Sequence, residues 1–490
     1  MKKFLLVFIS LFSILFLKVE LVQAQVDSLH YLPPMCSFTN SSSNVKNHRM
    51  VLTTSESTAF TVTITNNDGS FVKTVSLSSS SPKKVDLDWP KTILESQGII
   101  GTGDLNTVLD TEGLIVSGSK KFFVNVQNVS TAQGDLLTSK GTTGLGTDFY
   151  SGHMYSQTGG YDDQNGHFIG VMATENNTNI TFSNPRVIFT GQTSNTFTIS
   201  LNKGQSVVIG ISIVNLLKQT SNLNDVNGTH ITSNKPIAVS SGSMCASGYG
   251  NRNPGRDVGF DQLVPTDVVG DEYILIKGEG ISGGAQYNEK ALVVATEDNT
   301  NIYLNGSSTA ETTLNQGEYY FTDYTDFGTN KNLYIRSDKN IFCYQTLSGA
   351  NKKQTAGFCF IPPLKCTADK EVTIAYANKL STLTVSPILK LVSQEGSTIT
   401  INGSEVTSFN KSVAGNTYWE TYDIPEATLA NHLDSNGDYN FEIVSTGALN
   451  AMLAVESNNV GGGGYFSGFG DVPQIEQNPE IESEGLCGDN

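Results

Sequence analysis

The sequence is short of the features that mark helical, metal-dependent, nucleic-acid-binding and membrane-spanning proteins. Outside the extreme N-terminus it has no sustained helical stripe, and Ile211 to Leu217 is the nearest candidate. After that N-terminal run no second apolar segment reaches the roughly 20 residues of a comfortable membrane span. Histidine is scarce and scattered, six in 490 residues, and no Cys-x-x-Cys pair occurs, which argues against a zinc site. Basic residues are outnumbered 30 to 47 by acidic ones. A surface of that sign repels phosphate backbones and anionic lipid, so nucleic acid is a poor partner.

What is present begins with an address. Lys2 and Lys3 precede the apolar run Phe4 to Leu17, and Val22-Gln23-Ala24 supplies small residues at a cleavage site, so residues 1–24 read as a signal peptide. Gln25, not a cysteine, stands directly after the cleavage site, which argues against a lipid anchor. Losing Lys2, Lys3, Lys18 and Glu20 leaves 27 basic and 46 acidic residues, a formal charge of −19 from Gln25 onward. The expected location is secreted or cell-surface, with no transmembrane segment after signal removal. Export favours oxidation of Cys36, Cys245, Cys343, Cys359, Cys366 and Cys487, and an even number permits complete disulfide pairing. The spacing does not fix the pairs, although Cys343, Cys359 and Cys366 stand closest together.

The chain repeats itself. Ala173-Thr174-Glu175-Asn176-Asn177-Thr178-Asn179-Ile180 returns as Ala295-Thr296-Glu297-Asp298-Asn299-Thr300-Asn301-Ile302, with weaker echoes at Ser55-Glu56-Ser57-Thr58 and Gln394-Glu395-Gly396-Ser397-Thr398. Downstream, the turn Leu201-Asn202-Lys203-Gly204 matches Leu314-Asn315-Gln316-Gly317, with Ala414-Gly415 and Ser81-Pro82 in the matching places. A closing strand follows, Ile231-Thr232-Ser233-Asn234-Lys235-Pro236-Ile237 in one copy and Ile335-Arg336-Ser337-Asp338-Lys339-Asn340-Ile341 in the next. Lys121, Pro236, Asn340 and Ala448 mark a period of roughly 110 residues, the size of a β-sandwich. Asn and Asp in the first motif suit side-chain bonds to the backbone of the turn before a strand. Lys235-Pro236 suits a strand start, where a missing amide costs little.

These marks predict an all-β protein of tandem β-sandwich-like modules, built from about four internal repeats of roughly 110 residues. Apolar-Pro segments at Leu32-Pro33, Val264-Pro265 and Ile361-Pro362 impose extended chain and suit entering strands or linkers. The expected division is a diverged module at 25–135, modules at 136–258, 259–357 and 358–470, and an acidic tail or linker at 471–490.

The paired Ala-Thr-Glu-x-Asn-Thr-x-Ile segments, the Leu-Asn-x-Gly turns, the Ile-Thr-Ser-Asn-Lys-Pro-Ile-Ala-Val strand and the opening Phe260-Asp261-Gln262-Leu263-Val264-Pro265 together resemble the N-terminal domain of the IgGFc-binding protein family. The resemblance is best over about residues 150–460. It implies a secreted or surface binding domain; the family's namesake in animals is a mucus-associated protein that binds the Fc part of immunoglobulin G. Lys339-Asn340 and Gly447-Ala448 depart from the Lys-Pro pattern, and the shared motifs read as scaffold, so no ligand contact is carried over.

Several segments imitate catalytic or metal motifs. Gly278-Glu279-Gly280-Ile281-Ser282-Gly283 matches both Gly-x-Gly-x-x-Gly and, within it, the start of Gly-x-Ser-x-Gly, but the next element reads as the strand Ala291 to Ala295, so a hairpin loop is expected. Asp434 to Asn440 and Asp162 to Gly166 gather oxygen ligands that only Ca²⁺ would suit, and neither keeps the spacing of a helical calcium loop. No cofactor is otherwise expected. His153 and His167 lie near Asp148, Asp162 and Asp163 without an identifiable nucleophile, so no catalytic residue is assigned.

Clustered aromatics supply the candidate contact surface: Tyr155 and Tyr161 in a Gly-rich stretch, Tyr320 and Tyr324 in the third copy, and Trp419 in the fourth. The intervals Gly204 to Lys235 and Gly317 to Lys339 span 31 and 22 positions, so length varies where loops on a rigid scaffold meet partners. The expected function is a non-catalytic adhesion or binding protein for an extracellular protein or glycan, such as a mucin- or immunoglobulin-like glycoprotein. The competing class is an extracellular carbohydrate-active enzyme or its accessory binding module, which would need paired carboxylates across a cleft.

Overall fold

The computed structural model describes residues 25–37, 47–87, 98–130, 133–156, 165–212, 222–246, 257–280, 285–349, 355–457 and 460–469. The signal segment, Tyr161, Cys487 and the acidic tail lie outside these. The described chain is all-β, with brief 3-10 turns and one α-helical turn at Glu426–Leu429.

Three seven-stranded sheets share one topology. They centre on the long strands Leu114–Val129, His230–Ala246 and Asn332–Ser348. Counting strands in chain order within a sheet, the path is 4-3-6-2-5, and strands 1 and 7 also pair with the long strand 6. After residue 370 the same pairings recur in two separate sheets, because the long strand is broken into Phe441–Ser445 and Leu449–Glu456.

Each intact long strand bends near its middle. Opposite strand 1 the register runs from Asp148↔Thr232 to Gly146↔Ile237, and from Glu272↔Arg336 to Gly270↔Ile341, so four residues bulge out of the ladder each time. Lys235-Pro236 therefore sits in a mid-strand bulge and not at a strand start. The expectation about the missing amide survives for a different reason: a bulged residue has no ladder partner to lose.

The three repeated motifs meet at this bulge. Lys235 Nζ donates to the Asn176 carbonyl at 2.6 Å, and Asn179 N donates to Asn234 Oδ1 at 2.7 Å. Lys203 N, in the Leu-Asn-x-Gly turn, donates to Asn176 Oδ1 at 3.1 Å. The next copy repeats all three bonds, from Lys339 Nζ to the Asp298 carbonyl at 2.5 Å, Asn301 N to Asp338 Oδ1 at 2.8 Å and Gln316 N to Asp298 Oδ1 at 3.0 Å. Asn177 and Asn299 adopt φ of 55° and 58°, a left-handed region that Asn tolerates better than most residues. Side chains expected to serve their own turn instead bind the neighbouring one.

The units close on themselves. Leu109 and Ser206 exchange backbone bonds of 2.8 and 2.9 Å, joining first to second. Tyr344 Oη donates to the Tyr150 carbonyl at 2.5 Å, Asn332 Nδ2 donates to Thr421 Oγ1 at 2.8 Å, and Arg49 Nη1 returns to the Ser381 carbonyl at 2.7 Å. The four closing strands, Gly134–Thr138, Asp257–Gln262, Thr355–Phe360 and Gly461–Tyr465, pack around a common axis, the last against the first.

On that axis the strands form no ladder with one another, so their inward amides need other acceptors. Asp135 supplies them. Its Oδ1 accepts from Leu136 N at 2.8 Å and Gly463 N at 3.0 Å, and its Oδ2 from Phe260 N and Phe358 N at 3.1 Å each, one donor per closing strand. Burial pushes the Asp135 pKa up, and the four amides oppose that rise. Two residues along, Asp261 accepts from Gln262 N at 2.8 Å and Phe360 N at 3.1 Å; toward the other end, Asp257 accepts from Gly134 N at 2.9 Å. The crowding bears on the run Gly461 to Gly464: a Cβ at Gly461 would lie 2.6 Å from Ala356 Cα on the neighbouring closing strand.

The cysteines correct the expected disulfide set. Cys36, Cys245, Cys343 and Cys359 are buried thiols, and Cys366 is disulfide-bonded. The register sets Gln345, not Cys343, opposite Cys359, which removes the local bridge.

Replacing Asp135 with Leu strands four buried amides at about 1–3 kcal/mol each; the urea midpoint should fall sharply, and less for Asp135→Asn, which keeps one acceptor. A second expectation concerns acid. Burial pushes His30 and His153 from 6.5 down to about 4, so both are neutral in the fold. Unfolded imidazole binds protons first, hence stability is full above pH 6.5 and declines as pH falls toward 4. Urea midpoints measured across that range should slope, and His30→Gln with His153→Gln should reduce the slope, the remainder coming from His48 and His167, which burial also pushes down.

Candidate functional site

Strand alternation sorts the candidate aromatics. In Tyr319–Phe321, paired with Leu292 to Val294, the outer two side chains share one face and Tyr320 takes the other. Phe321 meets Tyr155 of the preceding unit edge-on, with ring centroids 5.2 Å apart, and also meets Tyr319 at 5.7 Å. Lys290 Nζ stands 5.6 Å from the Tyr155 ring and 3.4 Å from Asp323 Oδ2. Asp323 caps the turn Tyr324–Phe327, and Tyr324 packs edge-on against Tyr287 at 4.8 Å, with Lys277 Nζ 5.3 Å from its ring.

A half-buried patch of aromatic rings and ammonium groups thus straddles the seam between the second and third units. Tyr155 and Tyr324 belong to it. Tyr320 points away and donates to Glu311 Oε1 at 3.1 Å. Tyr161 is outside the described residues. Trp419 is 3% exposed, packed with Ile274, Ile276 and Tyr334 between the third and fourth units, so it has no face left for a ligand. Tyr287, Lys277 and Lys290 were missed by sequence reasoning; Tyr287 and Lys290 are signalled only by the polar-aromatic run Gln286-Tyr287-Asn288-Glu289-Lys290, Lys277 by nothing local, and the loop between them was judged on its glycines alone.

The imitated motifs resolve structurally. Past Gly280 the chain reaches a 3-10 turn, Ala285–Asn288, and then the strand Lys290–Ala295; no helix of the phosphate-binding kind follows among the described residues. Gly278 N is taken by buried Glu289 Oε2 at 2.7 Å. Asp434 spends its carboxylate on Asn436 N at 2.8 Å, Asp438 N at 3.0 Å and Asn440 Nδ2 at 2.9 Å, the pattern of an ordinary Asx turn. His153 and His167 are fully buried with ring centroids 5.1 Å apart; their partners are Gly242 O, Ser151, Ser243 and Ser156, whereas Asp148 pairs with His230 at 3.1 Å. No carboxylate orients either imidazole among the described residues.

Comparison with known proteins places the chain. Among solved structures it shows slight likeness to the BSP domain of a biofilm associated protein, with 8% identity over 90% of this chain and 96% of that one and a TM-score of 0.11. An E. coli alpha-2-macroglobulin structure gives 7% identity over 91% of this chain and 40% of that one, with a TM-score of 0.10. Likeness that slight bears on neither fold nor function. No curated protein matches. The IgGFc binding protein family, in contrast, matches across residues 135–453, a span that covers three of the four closing strands in part or whole and both complete copies of the bulge motif. The chain belongs to the IgGFc binding protein family.

Proposed function

We propose that this protein is a secreted or cell-surface adhesion protein that binds an extracellular protein or glycan, without catalysis, through the aromatic-ammonium seam between its second and third units. The observation that carries the reading is membership of a binding-protein family over residues 135–453, with the seam inside the matched span. The chemistry of the seam supports it. Tyr offers a flat apolar face with a polar tip, the combination enriched where proteins meet proteins, and the two ammonium groups sit over those rings as cation–π partners. The described scaffold motifs are consumed by internal hydrogen bonds, which leaves recognition to the surfaces between them.

A glycan and glycoprotein array that includes immunoglobulin and mucins, probed with mature protein, tests this directly. Binding to one class is expected, with Tyr155→Ala and Tyr324→Ala each weakening it about tenfold, equivalent to ~1.4 kcal/mol. Trp419→Ala should instead lower the melting temperature while the remaining folded protein binds normally. Silence across the array together with turnover of a polysaccharide would overturn the proposal in favour of a carbohydrate-active enzyme.

A further inference from the structure

The axis holds a lysine that the binding reading does not use. Lys140 follows the first closing strand and is fully buried, and its Nζ lies 3.2 Å from both Oδ1 and Oδ2 of Asp261, whose side chain is 1% exposed. The two residues are held together by more than this contact. Lys140 N donates to Gln262 Oε1 at 2.9 Å, so the lysine backbone is anchored beside the aspartate's own strand. Nζ also donates to Thr138 Oγ1 at 2.7 Å, and the Phe469 ring closes over it at 4.7 Å.

We propose that Lys140 and Asp261 condense into an intramolecular amide in the folded protein, covalently joining the loop after the first closing strand to the second closing strand. Proximity of this kind, fixed by the surrounding fold, replaces an activated acyl donor, since well-oriented intramolecular groups reach effective molarities of about 10⁵–10⁸ M. The carboxyl group is polarised for attack: Gln262 N donates to Oδ1 at 2.8 Å and Phe360 N to Oδ2 at 3.1 Å, so whichever oxygen is retained keeps one fixed donor for the charge that develops on it. Burial lowers the Lys140 pKa and raises that of Asp261, each against the pull of the other's charge, which shifts the pair toward the amine and the carboxylic acid.

The step balances without a co-reactant. The Nζ lone pair attacks Asp261 Cγ and a C–N bond forms. One Cγ–O bond then breaks, and that oxygen leaves as water, taking the acid's proton and one proton from nitrogen. The product is a neutral secondary amide. Its formation removes a buried, desolvated pair whose charged form is costly.

The protein carries its own control. Lys390 is also fully buried, with Glu279 Oε1 and Asp423 Oδ1 each 2.8 Å from Nζ. Burial alone would lower its pKa, but Asp423 and Glu279 together raise it, so the nitrogen stays an ammonium with no lone pair to attack.

The experiment is mass spectrometry of the mature protein after reduction. The expected intact mass is below the sequence mass by one water molecule, and a tryptic digest should yield a branched peptide joining Lys140 to Asp261 with the same loss. Lys140→Arg should lose the branch and regain the water. Linear peptides for both residues from the wild type would overturn the proposal even if the variant fails to fold, leaving an ordinary buried pair; a branch at Lys390 in their place would overturn it as well.

Discussion

Four backbone amides on one carboxylate, that of Asp135, hold the centre of this protein. Each comes from a different closing strand, and none of those strands pairs with another in a ladder. Without an acceptor on the axis, the inward N–H groups would be buried and unsatisfied, which no amount of apolar packing offsets cheaply. One carboxylate with two oxygens, each accepting two bonds, matches the local demand. Asp257 and Asp261 repeat the device at the neighbouring levels. Approach that close leaves little room for side chains, and the last closing strand carries glycine at four of its five positions.

From this centre the rest follows outward. Each closing strand pairs with its long strand, the long strand bends at a four-residue bulge, and the bulge is tied to two turns by the same three bonds in the second and third units. The bend lets one strand serve two halves of a curled sheet. Where Gly447 replaces the lysine of the bulge, no ammonium reaches back to the turn, and the strand is broken there. The repeated residues are spent on holding a shape.

Under the proposed function, recognition falls to the seams and loops. The aromatic patch forms only because Tyr155 of one unit meets Phe321 of the next, and its ammonium groups arrive from positions far apart in sequence. Buried imidazoles and buried thiols are drawn into the cores instead, where burial keeps the imidazoles neutral and the thiols protonated. The family match spans the second and third units, which carry both the seam and the complete bulge motifs.

The sequence alone determined the all-β class, the repeated turn and strand motifs and the family, because alternation, turn residues and repetition are local properties that survive in one dimension. It misjudged Lys235-Pro236 as a strand start, since a bulge is defined only by the partner strand. It grouped Tyr320 with Tyr324 by nearness in sequence and singled out Trp419 by its matching place in the fourth repeat, whereas strand alternation turns Tyr320 away and the packing of the third unit on the fourth buries Trp419. Tertiary structure alone decided that Asp135, Asp257 and Asp261 are axial acceptors, that four cysteines stay thiols, and that Lys140 faces Asp261. Each of these depends on distances between residues more than 100 positions apart or on strand register, and neither leaves a trace in composition or spacing.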